Sequence, residues 1–178
     1  QEVIIKGYKS ISSDVPLHLT LKKINVILGA NGSGKSNIIS FFKMLNYMMS
    51  GSLQSFIESN GGSQSFLHYG SKKTQNILAS LIFKSFKFHD KYDFTLSYAT
   101  PDKLIITSEE AEYQNGKCSS PKKIKLETDF KESVLSHKQE DRTLAVIKKI
   151  LSNCKVYQFH DSSQTAAIRN SCPKDVDN

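Results

Sequence analysis

The spacing of apolar residues changes several times along the chain, and each change predicts an element. Glu2 to Ile5 alternates weakly and meets Gly7-Tyr8-Lys9-Ser10-Ile11, which reads as a strand running into a turn. A second strand is predicted over Leu17 to Leu21, with Leu17, Leu19 and Leu21 on one face and His18, Thr20 and Lys22 on the other. Ile24-Asn25-Val26-Ile27-Leu28 is short, mostly apolar and partly β-branched, the pattern of a buried central strand. After Gly34 the period becomes helical: Ile38, Phe41, Phe42, Leu45, Met48 and Met49 share one helix face, and Gly51 ends the run.

Ser52 to Lys73 is rich in Ser, Gly, Asn and Gln, a loop with one short helix near Leu53 to Glu58. Ile77 to Phe88, Tyr92 to Tyr98 and Lys103 to Tyr113 are strand candidates, the last two joined by Thr100-Pro101-Asp102, and together they predict an antiparallel meander. Asn115 to Lys123 reads as a surface loop. Asp129 and Glu132 have capping-box spacing, and Phe130, Val134, Leu144, Ile147 and Leu151 predict helical packing to about Leu151. Val156 to Phe159 reads as a short final strand, and no internal repeat is visible.

Composition narrows the class without deciding it. A chain of 178 residues suits one domain, and the hydrophobic fraction of 38% is compatible with a real core. No run approaches the roughly 20 apolar residues of a membrane span, and the start lacks a signal-peptide layout, so the expectation is a cytoplasmic protein with no membrane partner. Cys118, Cys154 and Cys172 are too scattered for a zinc or redox pair. The net charge of +7 allows an anionic partner such as DNA, but the basic residues are dispersed, which is also the pattern of a solvated lysine-rich surface.

The chemistry sits at Gly29-Ala30-Asn31-Gly32-Ser33-Gly34-Lys35-Ser36, a full match to the phosphate-binding P-loop G-x-x-x-x-G-K-S. Its glycines permit positive φ and close approach of phosphate to backbone amides, and the helix that follows presents unpaired N–H groups and the positive end of its dipole. Lys35 is the candidate catalytic residue, reaching the β and γ phosphates. Ser36 is the candidate magnesium ligand, and Asn31 shapes the γ-phosphate side. ATP and Mg2+ are the expected ligand and cofactor.

The run Ile24 to Asn37 resembles the ABC-type ATPase heads of the SMC and RecF class, where the loop reads G-x-N-G-x-G-K-S-N, and Gly7-Tyr8-Lys9-Ser10-Ile11 matches the aromatic-basic-Ser turn preceding it there. More narrowly, Phe66-Leu67-His68-Tyr69-Gly70-Ser71-Lys72 and Val156-Tyr157-Gln158-Phe159-His160-Asp161-Ser162-Ser163 resemble segments of RecF-like AAA-type ATPases. The resemblance implies an α/β P-loop NTPase fold, the first lobe of an ABC head, with a mixed sheet, a P-loop helix and an antiparallel β meander. It places Lys9, Ser10 and Asn37 near the nucleotide. Gln158, His160 and Asp161 fit a switch loop that senses metal and γ-phosphate, with Gln158 as a metal contact, and equally fit a strand end with a helix N-cap. His68 and Tyr69 read as loop-packing residues.

ABC-type hydrolysis also requires an apolar strand ending in Asp-Glu and a Ser-Gly-rich signature, and neither occurs. Leu104-Ile105-Ile106-Thr107-Ser108-Glu109-Glu110 has too few apolar residues before its acidic pair and lies in a hairpin. Residues 1–178 therefore read as the N-terminal lobe of a longer ATPase, able to hold nucleotide but not to hydrolyse it alone. By resemblance the partners are a second head sandwiching ATP in a homodimer, DNA, and a nuclease or other effector, in DNA repair or phage defence. Two other classes compete: a nucleoside or small-molecule kinase, disfavoured because Arg142 and Arg169 are the only arginines, and a non-hydrolysing nucleotide-dependent interaction module.

Overall fold

A computed structural model describes residues 1–84, 88–115, 120–126, 131–137 and 140–156. Nine helices and strands are defined there: β1 (Glu2–Lys6), β2 (Leu17–Thr20), α1 (Lys35–Met49), α2 (Leu53–Ser59), β3 (Asn76–Lys84), β4 (Phe88–Ala99), β5 (Lys103–Asn115), β6 (Lys122–Lys125) and α3 (Arg142–Ser152). The strands form one sheet in the order β2-β1-β3-β4-β5-β6.

Alternation of apolar and polar residues sets the register. Val3 and Ile5 of β1 pair with Leu81 and Ala79 of β3, which continue to Tyr92 and Phe94 of β4, so one face of the sheet is a continuous apolar surface. An extra residue on β5 opposite Thr95/Leu96 turns Leu104 and Ile106 onto that face beside Leu96. Onto it α1 lays Phe41, Met44, Leu45, Met48 and Met49 at helical spacing, and α3 adds Leu144, Ile147 and Leu151. Each such buried side chain contributes about 1.5–3 kcal/mol of transfer free energy.

The architecture is the expected α/β one, with three corrections. First, every strand pair among the described residues is antiparallel, so this part of the sheet is not mixed. Second, Ile24–Leu28 is neither strand nor buried: it pairs with no described strand, and Ile24, Val26 and Leu28 are 84%, 76% and 87% exposed. The pattern of a buried central strand is present, but no described strand pairs with it.

Third, Glu132 does not begin the helix that its spacing suggested. Its carboxylate accepts from the backbone N–H groups of Leu53 and Gln54 at 2.8 and 3.0 Å and caps α2 instead. Val134 lies in a 3₁₀ turn, and α3 starts at Arg142, where the Asp141 carboxylate accepts from Thr143 and Leu144 N–H. Asp129 and Phe130 lie outside the described residues.

Among the described residues, the buried polar group of most consequence is Glu109 on β5. Its carboxylate accepts from Tyr92 Oη at 2.6 Å, Ser133 Oγ at 2.5 Å and Val134 N at 3.1 Å, tying the meander to the segment leading to α3. The acidic pair Glu109-Glu110 is thus divided by the pleat: Glu109 is an internal clamp, and Glu110 lies on the opposite face of β5.

Candidate functional site

The site is assembled at the N-terminus of α1. Gly34, at φ +91° and ψ +5°, is the N-cap residue and offers no side-chain acceptor, and no acidic residue occupies the first turn. Asn37 N–H already donates to the Gly34 carbonyl at 3.0 Å, so the Lys35 and Ser36 amides are the ones open to an external anion, with the helix dipole favouring negative charge. Gly32 has φ +84° and open space where a Cβ would stand, so its requirement is conformational. Gly34 is constrained twice, because a Cβ there would lie 2.7 Å from Ser10 Oγ. The loop is crossed by a Ser33 N–H to Ala30 carbonyl bond of 3.2 Å.

Lys35 turns back onto its own loop, donating from Nζ to the carbonyls of Gly29 and Ala30 at 2.6 and 2.7 Å. Those bonds hold the ammonium over the loop. Ser36 is exposed in the first turn. Asn37 donates from Nδ2 to Ser10 Oγ at 2.8 Å, locking the turn after β1 to the helix start. A recess of about 350 Å³ opens beside this lock, lined by Ser10, Ile11, Pro16, Leu17, Gly34 and Ile38.

Lys9 sits behind the same turn. Its Nζ donates to Ser40 Oγ at 3.1 Å, one helical turn beyond Ser36, and lies 5.0 Å from the Phe66 ring centroid and 5.8 Å from that of Tyr8. Burial of the ammonium pushes its pKa below the ordinary lysine value. Tyr8 Oη also donates to Ser40 Oγ, at 3.0 Å, and burial pushes that phenol up. Sequence reasoning put Lys9 and Ser10 together near nucleotide. The structure puts Ser10 against the loop and turns the Lys9 ammonium along the flank of α1.

The segment Phe66–Gly70 adds residues that spacing alone left as packing. Tyr8 and Leu67 form an isolated antiparallel bridge; Lys9 N–H donates to the Phe66 carbonyl at 2.8 Å, and His68 N–H to that of Gly7 at 3.1 Å. The only sequence signal for this contact was the resemblance carried by Phe66-Leu67-His68-Tyr69-Gly70. Gln158, His160, Asp161 and Arg169 lie outside the described residues. Among the described residues there is no group of three His, Cys, Asp or Glu side chains suited to a metal ion, and no helix is long and apolar enough to cross a membrane.

A family model described as AAA domain matches residues 2–175, nearly the whole chain and with it the loop, the turn after β1 and the meander. The chain belongs to the AAA domain family. Nucleotide binding is the property this AAA domain shares with its family. The chain is also 42% identical over 50 residues to structural maintenance of chromosomes protein 3 of Arabidopsis thaliana, a match covering 28% of this chain and 4% of that protein. This AAA domain is thus similar to the head of an SMC protein, in agreement with the loop and turn motifs.

Proposed function

We propose that this AAA domain is the ATP-binding lobe of a RecF- and SMC-like switch, in which ATP joins two heads and hydrolysis releases them. The observation carrying this reading is the arrangement at α1: a complete P-loop with uncapped first-turn amides, locked through Ser10 and Asn37 to the sheet. Phosphates bind along Gly29, Ala30, Asn31, Gly32, Ser33 and Gly34 and on the N–H groups of Lys35 and Ser36, with Asn37 holding Ser10 beside them. Lys35 exchanges the Gly29 and Ala30 carbonyls for the β and γ oxygens, and Lys9 adds a cation from the flank of the helix. Magnesium would neutralise phosphate charge there, and the exposed Ser36 hydroxyl is the loop side chain that would hold it.

Catalysis by such a switch draws on groups beyond this lobe. The exposed apolar run Ile24–Leu28 supports that reading, since this strand-like segment leading into the P-loop pairs with no described strand and presents apolar side chains suited to a strand neighbour. DNA, a second head and a nuclease or other effector are the proposed partners, and DNA repair or phage defence the proposed setting. The positive net charge favours DNA.

Titration of a fluorescent ATP analogue tests the binding reading directly. Lys35→Ala should abolish binding with an unchanged circular dichroism spectrum, and full affinity in that variant would sink the assignment. Light scattering with ATP and magnesium, then with duplex DNA, tests the switch: a mass that stays monomeric in all conditions counts against the two-head reading.

A further inference from the structure

We propose that His68 is a positioning residue for the nucleotide site, holding Lys9 in the backbone conformation that keeps its ammonium on the flank of α1. The proposal rests on the reading of Gly29–Ser36 as an ATP site and adds to it a residue outside the loop.

The structure holds two non-glycine residues at positive φ among those described, Lys9 at +48° and Tyr69 at +57°. Both adjoin His68. The ring of His68 places Nδ1 2.7 Å from the Lys9 carbonyl and packs edge-on against Tyr69 with centroids 4.3 Å apart. A carbonyl can only accept, so Nδ1 is the donor in this bond. Left-handed backbone is unfavourable for a side chain with a Cβ, and it persists where surrounding bonds over-determine it.

At Lys9 those bonds are two: its N–H to the Phe66 carbonyl, and its carbonyl from His68. They orient a side chain whose ammonium has Ser40 Oγ and two aromatic faces as partners. Tyr69 is 81% exposed, so its strained conformation is not explained by burying the ring. It closes the turn that carries His68 under Lys9, with Gly70 next at φ +74°.

Removing the Nδ1 donor leaves the Lys9 carbonyl short of one bond and lets the turn relax, so the competent orientation of the ammonium becomes a minor population. Apparent affinity falls in proportion to that population. For loss of one hydrogen bond supporting a strained residue, the fall is about tenfold.

The test is titration of a fluorescent ATP analogue with magnesium into the 178-residue chain and its variants, each with a thermal melt. His68→Leu should weaken binding about tenfold. His68→Asn, whose amide carries an N–H at the same branch position as Nδ1, should restore most of the affinity. In a Lys9→Met background, where there is no ammonium to orient, His68→Leu should change affinity less than twofold, while Lys35→Ala remains without binding. Equal weakening by Leu and Asn, or an undiminished effect of His68→Leu in Lys9→Met, overturns the positioning role. Failure of the wild-type chain to bind through Lys35 overturns the ATP reading on which it stands, and the two failures are distinct. Should His68→Leu melt below the assay temperature, His68→Ala, which also lacks the donor, takes its place in both backgrounds.

Discussion

Gly34→Ala is expected to be costly for two separable reasons. A Cβ at φ +91° meets the intrinsic penalty of left-handed backbone, about 1–2 kcal/mol. The same Cβ stands 2.7 Å from Ser10 Oγ, where ordinary contact begins at 3.4 Å, so the hydroxyl has to give by about 0.7 Å. Ser10 can rotate away, but only by releasing the 2.8 Å bond from Asn37 Nδ2, which adds about 1 kcal/mol. Ser10 Cβ lies 3.8 Å from the added methyl, so Ser10→Ala removes the clash and nothing else need move. The double-mutant cycle is therefore predictive. Gly34→Ala should cost about 2–3 kcal/mol in the wild type and about 1–2 in Ser10→Ala, a coupling near 1 kcal/mol. Urea denaturation followed by circular dichroism at constant slope measures it. Equal costs in the two backgrounds would show that Ser10 does not bear on Gly34 and would refute the lock between the first turn and the P-loop.

Three further predictions concern the same framework. Lys9→Met removes a desolvated ammonium and should leave the urea midpoint unchanged or higher while lowering affinity for the ATP analogue; a lower midpoint with unchanged affinity would make Lys9 purely structural. Glu132→Ala strips the carboxylate from the Leu53 and Gln54 amides and should destabilise the fold by about 1 kcal/mol in the same denaturation assay, with a neutral result counting against the cap. Burial raises the phenols of Tyr8 and Tyr92, so the unfolded chain loses those protons first: their stabilisation is fully present below about pH 10, the unfolded tyrosine value, and is lost as pH rises through the higher folded values. Tyr92→Phe should make the alkaline fall in the urea midpoint shallower, and an identical slope would place the titration elsewhere.

Local chemistry accounts for most of what the sequence alone determined. The P-loop, the α1 stripe and the meander are set by motifs and periods within a few residues of one another, because glycine conformations, helix faces and strand alternation are properties of short segments. The same signals failed where the answer depended on a distant partner. Ile24–Leu28 has the composition of a central strand, yet strand pairing needs a neighbour that no local pattern supplies. Glu132 has capping-box spacing, yet the nearest uncapped amides in space belong to α2. Glu109 and Glu110 look alike in sequence, and the pleat of β5 buries one against Tyr92 and Ser133 while leaving the other on the opposite face. Tertiary structure also decided that Phe66–Gly70 closes on the turn at Lys9, a contact of residues some sixty positions apart that rests on backbone hydrogen bonds and on one bond from the His68 ring. Backbone bonds leave no signature in side-chain pattern, whereas the phosphate-binding loop is legible because its chemistry demands particular residues at particular spacing.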